Sequence, residues 1–131
     1  MAEYVGILDG SGDAWGIRIP DLPGCYGGGE TPEKALADAI SAAREWIEHQ
    51  RGKGVEIPAP SMMIRILTDE LSAGEMLVVV PVVLDAGRTV RANLTMDAGL
   101  LAAIDEEAAR RGISRSAFLA SAAREKIGAN R

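Results

Sequence analysis

Two short apolar-rich stretches near the start of the chain, Tyr4–Leu8 and Trp15–Ile19, predict a pair of β-strands. Between them, Asp9-Gly10-Ser11-Gly12-Asp13 is dense in turn formers and reads as a hairpin loop. Pro20-Asp21-Leu22-Pro23-Gly24 ends the second strand, because its two prolines deny the ladder donors. Cys25 and Tyr26 begin a third strand, which Gly27-Gly28-Gly29 stops. Thr31-Pro32-Glu33 then starts a helix: threonine caps, proline suits the first position, and glutamate complements the dipole. Leu36, Ile40, Ala43 and Ile47 recur at spacings of 4, 3 and 4 and predict the buried face of that helix, with Trp46 beside it, to about Gln50. Gly52 and Gly54 terminate it, and Pro58-Ala59-Pro60 forms a rigid loop. Residues 62–67 fit a strand or a helical turn, the latter capped by Ser61. Met76–Val80 is a continuous apolar run that reads as a buried strand, with Pro81 marking its end or an exposed edge. Asp85-Ala86-Gly87 works as a linker. The expectation for residues 1–85 is a β-β-β-α-β sheet covered on one side by a helix.

From Arg88 the pattern changes. Val90, Ala92, Leu94 and Met96 alternate with Arg91, Asn93 and Thr95, giving a strand with one apolar and one polar face. Asp97 begins a helix whose stripe is Leu100, Leu101, Ile104 and Ala108, and Gly112 stops it. Ser114 caps a second helix, with Ile113 and Phe118 placed as a hydrophobic staple and Leu119, Ala122, Ala123 and Ile127 facing inward. A lone strand followed by two short helices does not hold together, because an isolated ribbon edge is unstable. Two chains solve this if their strands pair antiparallel through a core of Val90, Ala92, Leu94 and Met96. Folding and dimerisation then become one event.

Composition sharpens the division. The chain has 131 residues and a net charge of −5. Residues 1–87 carry 6 Lys+Arg and 14 Asp+Glu, a net of −8, whereas residues 88–131 carry 8 and 5, a net of +3. An acidic body with a basic tail suggests two partners of opposite charge. There is no apolar run of the ~18 residues a membrane span needs, and the first residues lack the look of a secretion signal. The single cysteine, Cys25, excludes an internal disulfide framework and points to a reducing cytoplasm.

The paired ribbon would present Arg91, Asn93 and Thr95 from each chain, and a two-stranded ribbon fits the DNA major groove. Arginine can bridge O6 and N7 of guanine, asparagine N6 and N7 of adenine, and threonine offers a hydroxyl and a methyl. The start of the second helix, Ser114, Arg115 and Ser116, is placed to hold a phosphate. Arg91-Ala92-Asn93-Leu94-Thr95-Met96 followed by Gly112-Ile113-Ser114-Arg115-Ser116 resembles the ribbon–helix–helix repressors across residues 88–127. In that family the outward strand residues read bases. Asp97 departs from the proline that many members carry there.

The residues in front carry no catalytic constellation. His49 is the only histidine and sits at a helix end. Cys25 lacks a neighbouring cation in sequence and reads as a packed thiol. One His and one Cys make no zinc site within a chain, and the glycines at 24 and 27–29 lack the Gly-Lys-Ser/Thr ending of a phosphate loop. A turn that lets backbone approach a partner accounts for them better. No metal and no cofactor are expected.

Trp15-Gly16-Ile17-Arg18-Ile19-Pro20-Asp21-Leu22-Pro23-Gly24-Cys25, then Gly29-Glu30-Thr31-Pro32-Glu33-Lys34-Ala35, resembles the HicB antitoxins over roughly residues 3–85. The resemblance implies an α+β chain: a partial RNase H-like domain at 1–85 and a ribbon–helix–helix (β-α-α) dimerisation and DNA-binding domain at 86–131. It implies a non-enzymatic antitoxin that blocks a HicA-type toxin, a small basic mRNA-cleaving ribonuclease, and represses its own operon as a homodimer or higher assembly. The acidic body suits such a partner. The segment Asp21–Glu30 is the expected toxin contact, through Asp21, Leu22, Glu30 and Tyr26, the last as an aromatic anchor. Two alternatives remain at this point: a ligand-responsive repressor without a toxin, and a metal-dependent nuclease using Asp9. The second is weakened because Asp38, Glu45 and Glu48 lie mostly away from the apolar face of their helix.

Overall fold

The computed structural model describes residues 1–69, 71–84 and 86–129. The chain divides into two compact units, Met1–Leu84 and Asp85–Asn130. Of the expected linker, Asp85 lies outside the described residues.

In the first unit β1 (Ala2–Ser11) and β2 (Ala14–Arg18) form an antiparallel hairpin, β3 (Tyr26–Gly29) pairs with β2, and β4 (Met76–Val82) pairs with β1. The order is β3-β2-β1-β4. β1 runs further than the sequence suggests. Asp9, Gly10 and Ser11 are turn formers by type, but they stand opposite Gly16, Trp15 and Ala14 in the ladder, which overrides their local preference.

The glycine run does not stop β3; it is most of that strand. α1 (Pro32–Gly52) lies directly on it. A Cβ added to Gly27 would fall 2.5 Å from Ala39 Cα and 2.7 Å from its Cβ, and one on Gly29 would fall 2.8 Å from Ala35 N. The backbone that these glycines admit is therefore the chain's own helix. The helix answers with small residues: Ala35, Ala39, Ala43 and Ile47 are at 0% exposure, while Leu36, Ile40 and Trp46 pack at the flanks. The buried line is thus turned from the one that the larger side chains mark. Thr31 caps as expected, its Oγ1 accepting from Lys34 N at 3.1 Å. The core on this face adds Tyr4, Leu8, Ile17, Ile19, Leu22, Cys25, Val80 and Val82.

The opposite sheet face is not bare, as a one-sided sheet would require. A short helix α2 (Met63–Asp69) seats Ile66 against Val5 and Ile7, with Leu71 and Leu77 beside them. Residues 62–67 therefore resolve largely as helix, but Ser61 is not the cap. Its backbone N–H and its hydroxyl both donate to the Asp21 carboxylate, each at 2.6 Å. The loop in front is pinned by Tyr4, whose hydroxyl donates to Pro58 O at 2.7 Å. β4 continues through Pro81 to Val82, so the proline marks neither the strand's end nor an exposed position: it is buried opposite Glu3, on a strand at the sheet's margin where a missing donor is tolerated. At the other edge, Gly28 N donates to Asp38 Oδ2 at 2.9 Å.

Arg18 donates to both oxygens of Glu75, at 2.5 and 3.3 Å, and joins β2 to the turn before β4. Hydrogen bonds from Arg18, then from the Ser72 N–H at 2.7 Å, push the Glu75 carboxyl down to about 2.

The second unit contains α3 (Ala98–Arg110) and α4 (Arg115–Ala129). Asp97 caps α3, its carboxylate accepting from Leu100 N at 3.0 Å, so aspartate fills by hydrogen bonding the role that proline fills by conformation. Gly112 takes φ +69, which lets its N–H reach Ala109 O and that of Ile113 reach Ala108 O. This is the paired termination that glycine favours. Ser114 caps α4 through Ala117 N at 3.1 Å. Phe118 carries the Arg111 guanidinium over its ring at 5.8 Å.

Candidate functional site

The segment that links β2 to β3 is a compact turn. Leu22 N donates to Ile19 O and Cys25 N to Leu22 O, both at 3.0 Å, and Trp46 Nε1 ties Pro23 O to α1 at 3.0 Å. Two of the expected toxin contacts have structural roles within this unit. Leu22 points inward and is 0% exposed, because the turn closes over the same core that α1 covers. Asp21 is committed to Ser61 and works as an internal latch. Tyr26 is different: it is 66% exposed, although it begins a strand. Glu30 is also exposed, 3.7 Å from Lys34 Nζ. Cys25 is buried, and burial pushes its thiol up, away from the thiolate. His49 is exposed on α1. No group of three or more metal-binding side chains forms among the described residues.

The ladder assigns side chains to faces. Ile17 opposes Leu8 and faces α1. The alternate residues therefore face the other way: Asp9, Gly16 and Arg18 on β1 and β2, and Tyr26 and Gly28 on β3, with Gly16 opposite both Asp9 and Gly28. Sequence reasoning missed this grouping. The signal was available in the alternation of Gly16, Arg18, Tyr26 and Gly28, but it needed the register to be read.

In the second unit, residues 89–97 carry no regular secondary structure. A strand needs a ladder partner, and none pairs with this segment among the described residues. The two expected faces are consequently both open: Arg91, Asn93 and Thr95 are exposed, and so are Val90 at 78%, Leu94 at 67% and Ala92, with Met96 partly covered. Ala122, Ala123 and Ile127, expected to face inward, are exposed as well, while Ile104 and Ala108 are buried.

The expected phosphate-binding residues sit together at the start of α4, but two already have partners. The Ser114 hydroxyl accepts the capping bond, and Arg115 forms a two-point ion pair with Asp105, Nε to Oδ1 at 2.8 Å and Nη2 to Oδ2 at 2.7 Å. That contact holds the Asp105 carboxyl below its usual range and raises Arg115 further. Ser116 is exposed. Arg110 and Arg111 are both paired with Glu107.

Among the described residues no helix is long and apolar enough to cross a membrane. A comparison with curated proteins gave no match. Solved structures did match. The chain is similar to the Burkholderia pseudomallei antitoxin HicB, with 27% identity, all of both chains covered and a TM-score of 0.56. It is also similar to the antitoxin HicB3, with 32% identity, 95% of this chain and 97% of that one covered, and a TM-score of 0.56. A structure described as the HicA3 and HicB3 toxin–antitoxin complex shares the fold over 61% of this chain and 96% of that one, at 24% identity and a TM-score of 0.52. The mixed α+β architecture, with its four-stranded antiparallel sheet and helices, is that of HicB antitoxins. A family model described as the HicB-like antitoxin of bacterial toxin–antitoxin systems matches residues 4–123, so the chain belongs to that family.

Proposed function

We propose that this antitoxin binds and inhibits a HicA-type mRNA-cleaving toxin through residues 1–85, and represses its own operon through a ribbon–helix–helix dimer built from residues 86–131. It acts in the cytoplasm and performs no catalysis of its own. Family membership carries the reading of the first part, and a relative's occurrence in a HicA3–HicB3 complex supports the kind of partner. The net charge of −8 on residues 1–87 suits a nuclease that must itself attract RNA.

The single observation that supports the second part is the state of residues 90–96. Val90 and Leu94 are 78% and 67% exposed in a segment without a ladder. Pairing this segment with its copy would cover those side chains and leave Arg91, Asn93 and Thr95 turned outward. Ser116 and the first amides of α4 would hold a phosphate, with Arg115 sharing its guanidinium between that phosphate and Asp105.

Mixing the protein with its toxin at micromolar concentration should abolish RNA cleavage; unchanged cleavage refutes the neutralising role. Asn93→Ala should weaken binding to operator DNA by about 1–3 kcal/mol and relax one base position. An equal loss on random DNA refutes base reading. A protein that stays a monomer with its second unit intact refutes the dimer.

A further inference from the structure

The sheet face opposite α1 is only half covered. α2 shields the β1–β4 half by seating Ile66 on Val5, Ile7 and Leu77. The β2–β3 half has Gly16 and Gly28 as cross-strand partners in its middle, with Tyr26 and Asp9 at its sides. These two glycines differ from the others in the sheet. Gly27 and Gly29 make room for α1, and Gly6 for Ile17 and Val80. Neither Gly16 nor Gly28 has positive φ. A Cβ on Gly28 would meet nothing closer than Trp15 O at 3.5 Å, and one on Gly16 nothing closer than Asp9 Oδ1 at 3.6 Å. Neither the backbone nor the internal packing of the chain calls for glycine there. The result is a patch where an outside group can reach the strand backbone, next to a tyrosine 66% exposed.

Charge decides the occupant. Arg18, the cation that β2 places on this face, is paired with Glu75. Asp9 is exposed at the rim, and residues 1–87 carry −8 in all. A second copy of this unit would bring the same negative charge, whereas a positively charged protein surface would be attracted.

We propose that the open β2–β3 half of this face, with Gly16 and Gly28 as floor, Tyr26 as anchor and Asp9 as charged rim, is where the basic toxin docks. This rests on the toxin-binding reading above, and it moves the contact from the β2–β3 turn to the face of the strands. A helix or strand of the toxin lying across the two glycines would come as close to the sheet as α1 does on the other side.

The test uses the full-length antitoxin and its toxin, produced as a catalytically inactive variant. Gly16→Val and Gly28→Val put β-favouring side chains onto an open surface, so their thermal unfolding should be no lower than that of the unsubstituted protein. Their affinity for the toxin should fall by at least about tenfold, as should that of Tyr26→Ala. Asp9→Lys should slow association and reduce its salt dependence. If a valine variant fails to fold, the Tyr26 and Asp9 variants decide. Folded variants that bind like the unsubstituted protein overturn this surface while leaving the toxin-binding reading standing. If the unsubstituted protein does not bind the toxin, that reading falls and this one with it. If the variants change the oligomeric state but not toxin affinity, the face belongs to a second copy and the proposal is wrong.

Discussion

Replacing Gly27 by alanine tests whether α1 is seated on β3 by the absence of side chains. The new Cβ would stand 2.5 Å from Ala39 Cα and 2.7 Å from Ala39 Cβ, about 1 Å inside ordinary carbon–carbon contact. One neighbour is backbone and the other is bonded to it, so no rotamer change gives relief. The helix must lift, and the line it seats, Ala35, Ala39, Ala43 and Ile47, is at 0% exposure throughout. Overpacking costs about 1–3 kcal/mol, and a backbone contact places this case near the upper end, about 3 kcal/mol. At roughly 0.05–0.15 kcal/mol per residue, a unit of this size holds about 4–13 kcal/mol, so a quarter or more of its stability is at stake. Trp15 and Trp46 both lie in the first unit, and their fluorescence reports its unfolding alone. With a urea dependence of about 1.5 kcal/mol per molar, the midpoint should fall by about 2 M. Gly28→Ala is the matched control. Its Cβ meets only Trp15 O, at 3.5 Å, and losing glycine's extra freedom in the unfolded chain should leave it neutral to about 1 kcal/mol more stable. Equal midpoints for these two adjacent substitutions would refute the packing argument.

Three further outcomes follow from contacts described above. The Glu75 carboxyl is pushed from 4.5 down to about 2 in the folded chain. Its contribution is therefore complete above the unfolded value and lost as pH falls through the folded one. The stability difference between the unsubstituted protein and Glu75→Gln should be constant above pH ~5 and shrink between about 4.5 and 2; a difference that grows on acidification would contradict this. Asp97→Ala removes the cap on α3 and should cost about 1 kcal/mol, read as lower thermal stability of the second unit, with Asp97→Asn close to the original. Gly112→Ala forces a side chain into φ +69 and should cost about 1 kcal/mol or more. Unfolding indistinguishable from the original would show that α3 ends for some other reason.

Much of the architecture was legible in the residues because local chemistry and tertiary structure agree. The Thr31 and Ser114 caps, the Gly112 stop and the apolar run at β4 all lie where their side chains predict. The errors fall where a partner in space outweighs local preference. Gly27-Gly28-Gly29 looks like a terminator until α1 is known to lie on it. Leu36 and Ile40 look like the centre of the helix face until the floor beneath proves to be glycine, which favours Ala35 and Ala39. Asp21 and Leu22 share a hydrophilic-looking turn, yet one is tied to Ser61 and the other is core. For residues 90–96 the alternation is plain in sequence, but a single chain supplies no ladder to turn it into a strand.

The two rims of the sheet are also consequential. Asp38 occupies the outward amide of Gly28 along one rim, and the proline at position 81 interrupts the other. A valine-rich ribbon of this kind would otherwise recruit neighbours indefinitely, growing sideways strand by strand. With an acceptor seated on one rim and a residue that carries no N–H in the other, strand addition at the margins is disfavoured and the broad side of the sheet is left as the more accessible surface.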